Sequence, residues 1–391
     1  MTIFIIFLVC FIIFVFAVLD ADLRVLKQKD LHDAIQHSRF MRVCDKIFNQ
    51  FFEWRLWKKI LPVAFLVIVV LLIAGYLIIR YTLPEAPPLT EININHNDSA
   101  LIQRGNYLAN HVAICTDCHS ARDASRFSWP IIAGQEGSGG PFLSRKAGFD
   151  FPGESFTPNI TPGGAVGKWS DAELFRTITT GIKPDGSTLY HAMPFEGFGQ
   201  ADPEDIKAII AYLRTLPAIN NKPAGTTVID FFAALRSRMV PRKVAPILKN
   251  DLKNAVDSGR YLVTLAVCTD CHTPNTWADF KNDSRFLSGG LEFPMPAGGY
   301  VHSANLTPDE SGLAFWTEDA FVNKFKSYRD STTLYKVEPN SMNSLMPWSS
   351  YCNMTDQDLK NIYAYLRTLK PIYNPVIKFS RERIEKKKEG Q

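Results

Sequence analysis

Two short strings carry side chains whose types and spacing could do chemistry: Cys115-Thr116-Asp117-Cys118-His119 and Cys268-Thr269-Asp270-Cys271-His272. In each, two thiols stand about one helical turn apart, a spacing that reaches the two vinyl groups on one edge of a porphyrin. The histidine that follows is placed to turn back to the iron as its proximal ligand. The pattern predicts one covalently attached haem c at each string, two in all. A zinc site would need its four ligands together, whereas the strings lie 153 residues apart. A thioredoxin-like redox pair would need a βαβ context, and no such pattern surrounds either string.

The sixth iron ligand separates electron transfer from catalysis. Methionine opposite histidine raises the potential and suits electron transfer; an open position suits oxygen or peroxide chemistry. Met193 lies 74 residues beyond His119, in Tyr190-His191-Ala192-Met193-Pro194-Phe195. Met346 lies 74 residues beyond His272, in Ser344-Leu345-Met346-Pro347-Trp348. The equal spacing and the shared Met-Pro step favour His119/Met193 and His272/Met346 as axial pairs over core filling, the ordinary use of a methionine. Met342 is the rival in the second case, Met295 has no counterpart in the first, and His191 and His302 read as loop histidines. No catalytic residue is expected.

The elements around these strings repeat. GNYLANHVAICTDCH at 105–119 recurs as GRYLVTLAVCTDCH at 259–272, and AYLRTL at 211–216 recurs at 364–369. The same offset of 153 residues separates Cys115 from Cys268 and Tyr212 from Tyr365. Between these anchors stand Asn159-Ile160-Thr161-Pro162 and Asn305-Leu306-Thr307-Pro308, each followed by a tryptophan, Trp169 or Trp316. Asn159, Thr161, Asn305 and Thr307 either hydrogen-bond haem propionates or shape a turn; the tryptophans read as packing at a helix start rather than pocket lining. Each repeat ends in a helix with an i, i+3, i+4, i+7 apolar stripe. One is capped by Asp202 with Pro203 in its first position and buries Ile206, Ile209, Ile210 and Leu213; the other starts at Thr355 and carries Leu359, Ile362, Tyr363 and Leu366. Strand signals are poor, so the expectation is all-α.

A net charge of +4 over 391 residues gives no basic field for nucleic acid. Ile3 to Leu19 and Ile60 to Ile79 are uncharged runs. About 20 helical residues cross a bilayer core, and no basic residue precedes the first run as a signal peptide requires. Nine Lys and Arg between residues 20 and 59 place that loop in the cytoplasm. The expectation is a two-pass inner-membrane protein with its haem domains outside. The domain plan is then transmembrane helix 1–20, basic loop 21–59, transmembrane helix 60–80, Pro-rich linker 81–98, haem domain 99–217, linker 218–253, haem domain 254–375 and basic tail 376–391.

Both repeats resemble the class I cytochrome c fold, in which an N-terminal helix bearing a glycine and an aromatic crosses a C-terminal helix. Here Gly105/Tyr107 would cross the Tyr212 helix, and Gly259/Tyr261 the Tyr365 helix. FTPNITP, WSDAELFR, LYHAMPFEGF and AYLRTLP resemble the cytochrome subunits of membrane-bound alcohol and gluconate dehydrogenases over roughly 99–375. Those subunits typically carry three haem domains behind a cleaved signal peptide, where this chain has two. The resemblance implies an electron carrier, not an enzyme, working between a dehydrogenase and a terminal oxidase or soluble cytochrome. The alternatives are a di-haem subunit of a cbb-type oxidase, a di-haem peroxidase, which needs an iron without a strong sixth ligand, and a haem sensor, for which no output domain is seen. Cys10, Cys44 and Cys352 have no partners in the repeat, and Cys352 aligns with Gly199, so no structural disulfide is expected. Cys352→Ser should leave haem attachment unchanged, as read by the mass of the intact chain.

Overall fold

The computed structural model describes residues 54–81, 88–144, 153–189, 192–225, 227–228, 244–274, 283–330 and 334–384. They fall in two compact units, one ending at Leu83 and one beginning at Pro84. The first contributes a single described helix, α1, Trp54–Tyr81. Among the described residues no helix is long and apolar enough to cross a membrane. The side chains of α1 that are described run from Pro62 to Leu77. The expected two-helix anchor, and the two-pass inner-membrane location built on it, are corrected accordingly. Its first helix, 1–20, lies outside the described residues.

The second unit holds both repeats. The first runs α2 (Ser99–Tyr107), α3 (Cys115–Cys118), β1 (Gly140–Ser144), β2 (Gly153–Thr157), α4 (Asp171–Thr180), α5 (Phe195–Gly199), α6 (Pro203–Leu213) and β3 (Thr227–Val228). The second runs α7 (Ala255–Leu265), α8 (Cys268–His272), β4 (Glu292–Pro294), β5 (Tyr300–His302), α9 (Glu318–Lys326), α10 (Trp348–Tyr351), α11 (Asp356–Leu366) and β6 (Phe379–Ser380). The strands correct the all-α expectation: they form two three-stranded antiparallel sheets, β1-β2-β3 and β4-β5-β6. The strands are too short to show an alternating pattern, and their third members come from far along the chain, Val301 pairing with Phe379.

Caps fix the main helices. Asp98, Asn254 and Thr355 each accept from backbone amides in the first turn of α2, α7 and α11. Asp202 caps α6, with Pro203 at its first position, where a missing amide costs nothing. Ile206, Ile209, Ile210 and Leu213 are buried on α6 as the spacing predicts, and on α11 Leu359, Ile362 and Leu366 are buried while Tyr363 is half-buried. Within each repeat the first and last helices cross at a glycine. A Cβ on Gly105 would stand 1.8 Å from the Ala208 carbonyl oxygen, and one on Gly259 would stand 1.9 Å from that of Asn361. Only glycine lets the backbones approach so closely.

The neighbouring tyrosines do something else. Each leaves its own repeat and inserts its hydroxyl at the start of the other repeat's last helix. Tyr261 accepts from the Asp202 amide at 3.2 Å and donates to Asp205 at 2.7 Å. Tyr107 accepts from the Thr355 amide at 3.0 Å and donates to Asp358 at 2.5 Å. A glutamate at the third helical position would reach back to the N-cap amide and close a capping box. Here an aspartate stands at that position, and the other repeat's hydroxyl bridges it to the N-cap amide. The exchange is reciprocal, and it joins the two repeats through one hydrophobic core.

Asp205 is fully buried and also accepts from Arg104 at 3.0 Å and Lys249 at 2.6 Å. Burial alone would raise its pKa, but the bonds and charges of Arg104, Lys249 and Tyr261 outweigh it and hold the carboxyl below its ordinary value. A depressed folded pKa gives stability that is present above the unfolded value, about 3.9, and lost as pH falls through the folded one. Asp205→Asn should therefore cost about 2–4 kcal/mol at pH 7 in urea unfolding. The gap to wild type should shrink as pH falls below about 3.9.

Candidate functional site

Each cysteine string begins on a backbone kink. Ile114 and Val267, the residues before Cys115 and Cys268, both sit in the left-handed region at φ 46°. This turns the chain sharply out of the preceding helix and starts the single turn that carries both thiols. Five described cysteines, Cys115, Cys118, Cys268, Cys271 and Cys352, are free thiols. Burial pushes Cys115, Cys268 and Cys271 up to about 12, and Cys118 higher still. Where the repeats meet, Ser350 donates to Asp117 of the first string at 3.2 Å. Tyr351, buried beside both strings, donates to the Ala266 carbonyl at 2.6 Å.

His119 and His272 are buried at the ends of these turns. Burial lowers the pKa of each, so both rings are neutral at pH 7. His119 Nδ1 lies 2.9 Å from the Pro158 carbonyl, and His272 Nδ1 lies 2.7 Å from that of Ala304. A carbonyl can only accept, so in this pairing Nδ1 carries the proton and Nε2 keeps its lone pair for a metal. The backbone then folds back over each histidine. Gly139 N donates to the His119 carbonyl and Gly289 N to that of His272, both at 2.7 Å. Both glycines have positive φ, and a Cβ on either would meet backbone at 2.3–2.5 Å.

The asparagine–threonine pairs build the turns that present those carbonyls. Asn159 Oδ1 accepts from the Thr161 amide and hydroxyl, while its Nδ2 donates to the Ile219 and Asn221 carbonyls. Asn305 repeats this with Thr307, Ile372 and Ser311. Their amide donors are thus directed into the protein, as a turn-shaping role requires. Trp169 and Trp316 pack against the core beside these turns.

Met193 and Met346 are half-buried and pack against the same core as the cysteines. Their loops share one backbone bond: Phe195 N donates to the Met193 carbonyl and Trp348 N to that of Met346, both at 2.8 Å. The rival Met342 is 45% exposed, and Met295 is buried in a separate small cluster. His302 lies on β5 against Glu292 at 3.4 Å, and His191 falls outside the described residues. The donor set in each repeat, two thiols and an imidazole held by its far nitrogen, fits a covalently attached haem. The two glycines, the two presenting carbonyls and Tyr351 were not singled out by the sequence.

Residues 256–370 match the family model for cytochrome c. A cytochrome c domain is therefore present, containing Cys268, Cys271, His272 and Met346, and such a domain carries covalently bound haem c. The chain is 31% identical over 292 residues to the cytochrome c subunit of alcohol dehydrogenase (quinone) from Gluconacetobacter polyoxogenes, covering 70% of this chain and 57% of that protein. It is 27% identical over 280 residues to the fructose dehydrogenase cytochrome subunit of Gluconobacter japonicus, covering 68% and 52%. Against a diheme cytochrome c-type protein of Cereibacter sphaeroides it is 27% identical over 269 residues, covering 66% and 82%. The chain spans about half the length of the dehydrogenase subunits it matches.

Asn159→Ala and Asn305→Ala should each cost about 1–3 kcal/mol, because each strands donors and acceptors in a buried turn. Urea unfolding at unchanged slope measures this, and the mass of the intact chain should show haem attachment retained.

Proposed function

We propose that the chain is an electron-transfer protein carrying two haem c groups, one per repeat, and that it takes electrons from a dehydrogenase. Cys115 and Cys118 hold the first group, with His119 and Met193 as axial donors. Cys268 and Cys271 hold the second, with His272 and Met346. The observation that carries this reading is the duplication: the same ligand spacing, the same histidine-to-carbonyl bond and the same bond closing each methionine loop occur in both repeats. Haem iron supplies one-electron redox chemistry; the residues supply its surroundings.

Those residues act by holding positions. The Pro158 and Ala304 carbonyls fix the ring planes and the tautomer of His119 and His272, and accepting the Nδ1 proton makes the opposite nitrogen a stronger donor. Thioether donors favour the reduced iron and raise the potential. With both axial positions filled by protein, no iron is left open for peroxide, which supports a carrier over a peroxidase. The dehydrogenase relatives support a dehydrogenase as donor. A terminal oxidase or a soluble cytochrome is the acceptor in this proposal.

Met193→Ala and Met346→Ala, made singly, should each abolish the methionine–iron charge-transfer band of one haem, lower that haem's potential and leave attachment intact. Loss of the second band in Met342→Ala instead would reassign the ligand. A high-spin haem and peroxide turnover in the wild type would replace the carrier reading with an enzymatic one.

A further inference from the structure

Residues 122–129 of the first repeat leave their own domain and run across the second. Ser125 and Phe127 exchange backbone bonds with Val337 and Tyr335, at 2.8 and 2.9 Å, on either side of a bridge between Arg126 and Lys336. The Phe127 ring stacks against Tyr328 and Tyr335, with centroids 5.9 and 5.4 Å away. Trp129 is buried with Met295 and Val301, and Leu345, the residue before Met346, packs on the same cluster.

The segment ends on the methionine loop. Ser128 is fully buried, and its hydroxyl donates to the Met346 carbonyl at 2.8 Å while accepting from the Trp348 amide at 2.9 Å. One hydroxyl thus spans both ends of the Met346-Pro347-Trp348 turn. The Ser128 amide in turn donates to the buried Asn343 side chain at 3.1 Å. The backbone is bent to reach this place: Ser128 and Trp129 both have positive φ, 65° and 49°. Such a conformation in residues other than glycine persists only where surrounding bonds over-determine it. Arg122 supplies those bonds, donating to the Trp129 carbonyl at 2.7 Å and to that of Ser128 at 3.0 Å. The same guanidinium pairs at 3.1 Å with Asp117, which lies between the cysteines of the first string.

We propose that residues 122–129 form a strap by which the first repeat positions the axial methionine of the second, with Ser128 as the positioning residue. The proposal rests on Met346 being the ligand. A hydroxyl joined to both ends of a Met-Pro-Trp turn fixes where the methionine side chain departs from the backbone, and so resists its displacement from the iron. Because Arg122 ties the strap to the first cysteine string, the hold on the second iron depends on the first repeat being folded and in place.

The test uses the full holoprotein and the rate at which imidazole displaces methionine from each iron. Ser128→Gly removes the hydroxyl but suits the left-handed backbone better than serine does, so the variant should fold at least as well. Displacement at the second haem should quicken by roughly 3- to 10-fold, the equivalent of one net hydrogen bond. The first haem serves as internal control and should keep its rate. Unchanged rates at both irons would overturn the strap, as would equal acceleration at both. The second haem's charge-transfer band must itself vanish in Met346→Ala. If it survives, the ligand assignment fails and takes the strap with it. If it vanishes while Ser128→Gly changes nothing, the strap alone is wrong.

Discussion

A tyrosine hydroxyl shared between an N-cap amide and an aspartate three residues on is the contact on which the rest of this fold turns. It occurs twice, Tyr261 at Asp202 and Asp205, and Tyr107 at Thr355 and Asp358. Each repeat therefore completes the first turn of a helix in the other. Neither helix start is fully satisfied alone, and a buried polar group left unpaired costs about 1–3 kcal/mol. The exchange also sets where everything else meets. In the same seam Ser350 stands within 3.2 Å of Asp117, and the Tyr351 hydroxyl sits on the Ala266 carbonyl.

From that arrangement follow two grades of positioning. His119 and His272 are held inside their own repeats, each by a carbonyl on a turn that an asparagine and a threonine lock from within. The second methionine loop is held from outside, by a loop of the first repeat. The inner device is duplicated with the sequence, as expected of a part that every copy needs. The outer device depends on the pairing of two copies. On the proposed assignment of Met346 as an axial ligand, it links the first cysteine string to the second iron: Asp117 to Arg122, Arg122 to the Ser128 carbonyl, and Ser128 to Met346.

Much of this was legible in the residues themselves. The two Cys-x-x-Cys-His strings, the Met-Pro steps and the caps at Asp202 and Thr355 are local signals, each complete within a few positions. The duplication amplified them by showing each twice. What stayed hidden was long-range. Tyr107 was expected to serve the Tyr212 helix, because nothing in a sequence tells a contact within a repeat from one between repeats. The sheets were missed because β5 and β6 pair Val301 with Phe379 across a whole helical subdomain. Ser128 touches a carbonyl 218 residues away, and a lone serine in a loop carries no mark of that. The anchor erred in the opposite direction, since an apolar run was read as a span that the described helix does not support.

The proposed function requires that both repeats, and not only the one matching the cytochrome c family model, carry haem. Intact-mass spectrometry of the purified chain, followed by peptide mapping, tests it most directly. The expected result is the mass of two covalently added haems, one on the peptide holding Cys115 and Cys118 and one on that holding Cys268 and Cys271. A single haem confined to Cys268 and Cys271, with Cys115 and Cys118 recovered as free thiols, would contradict it.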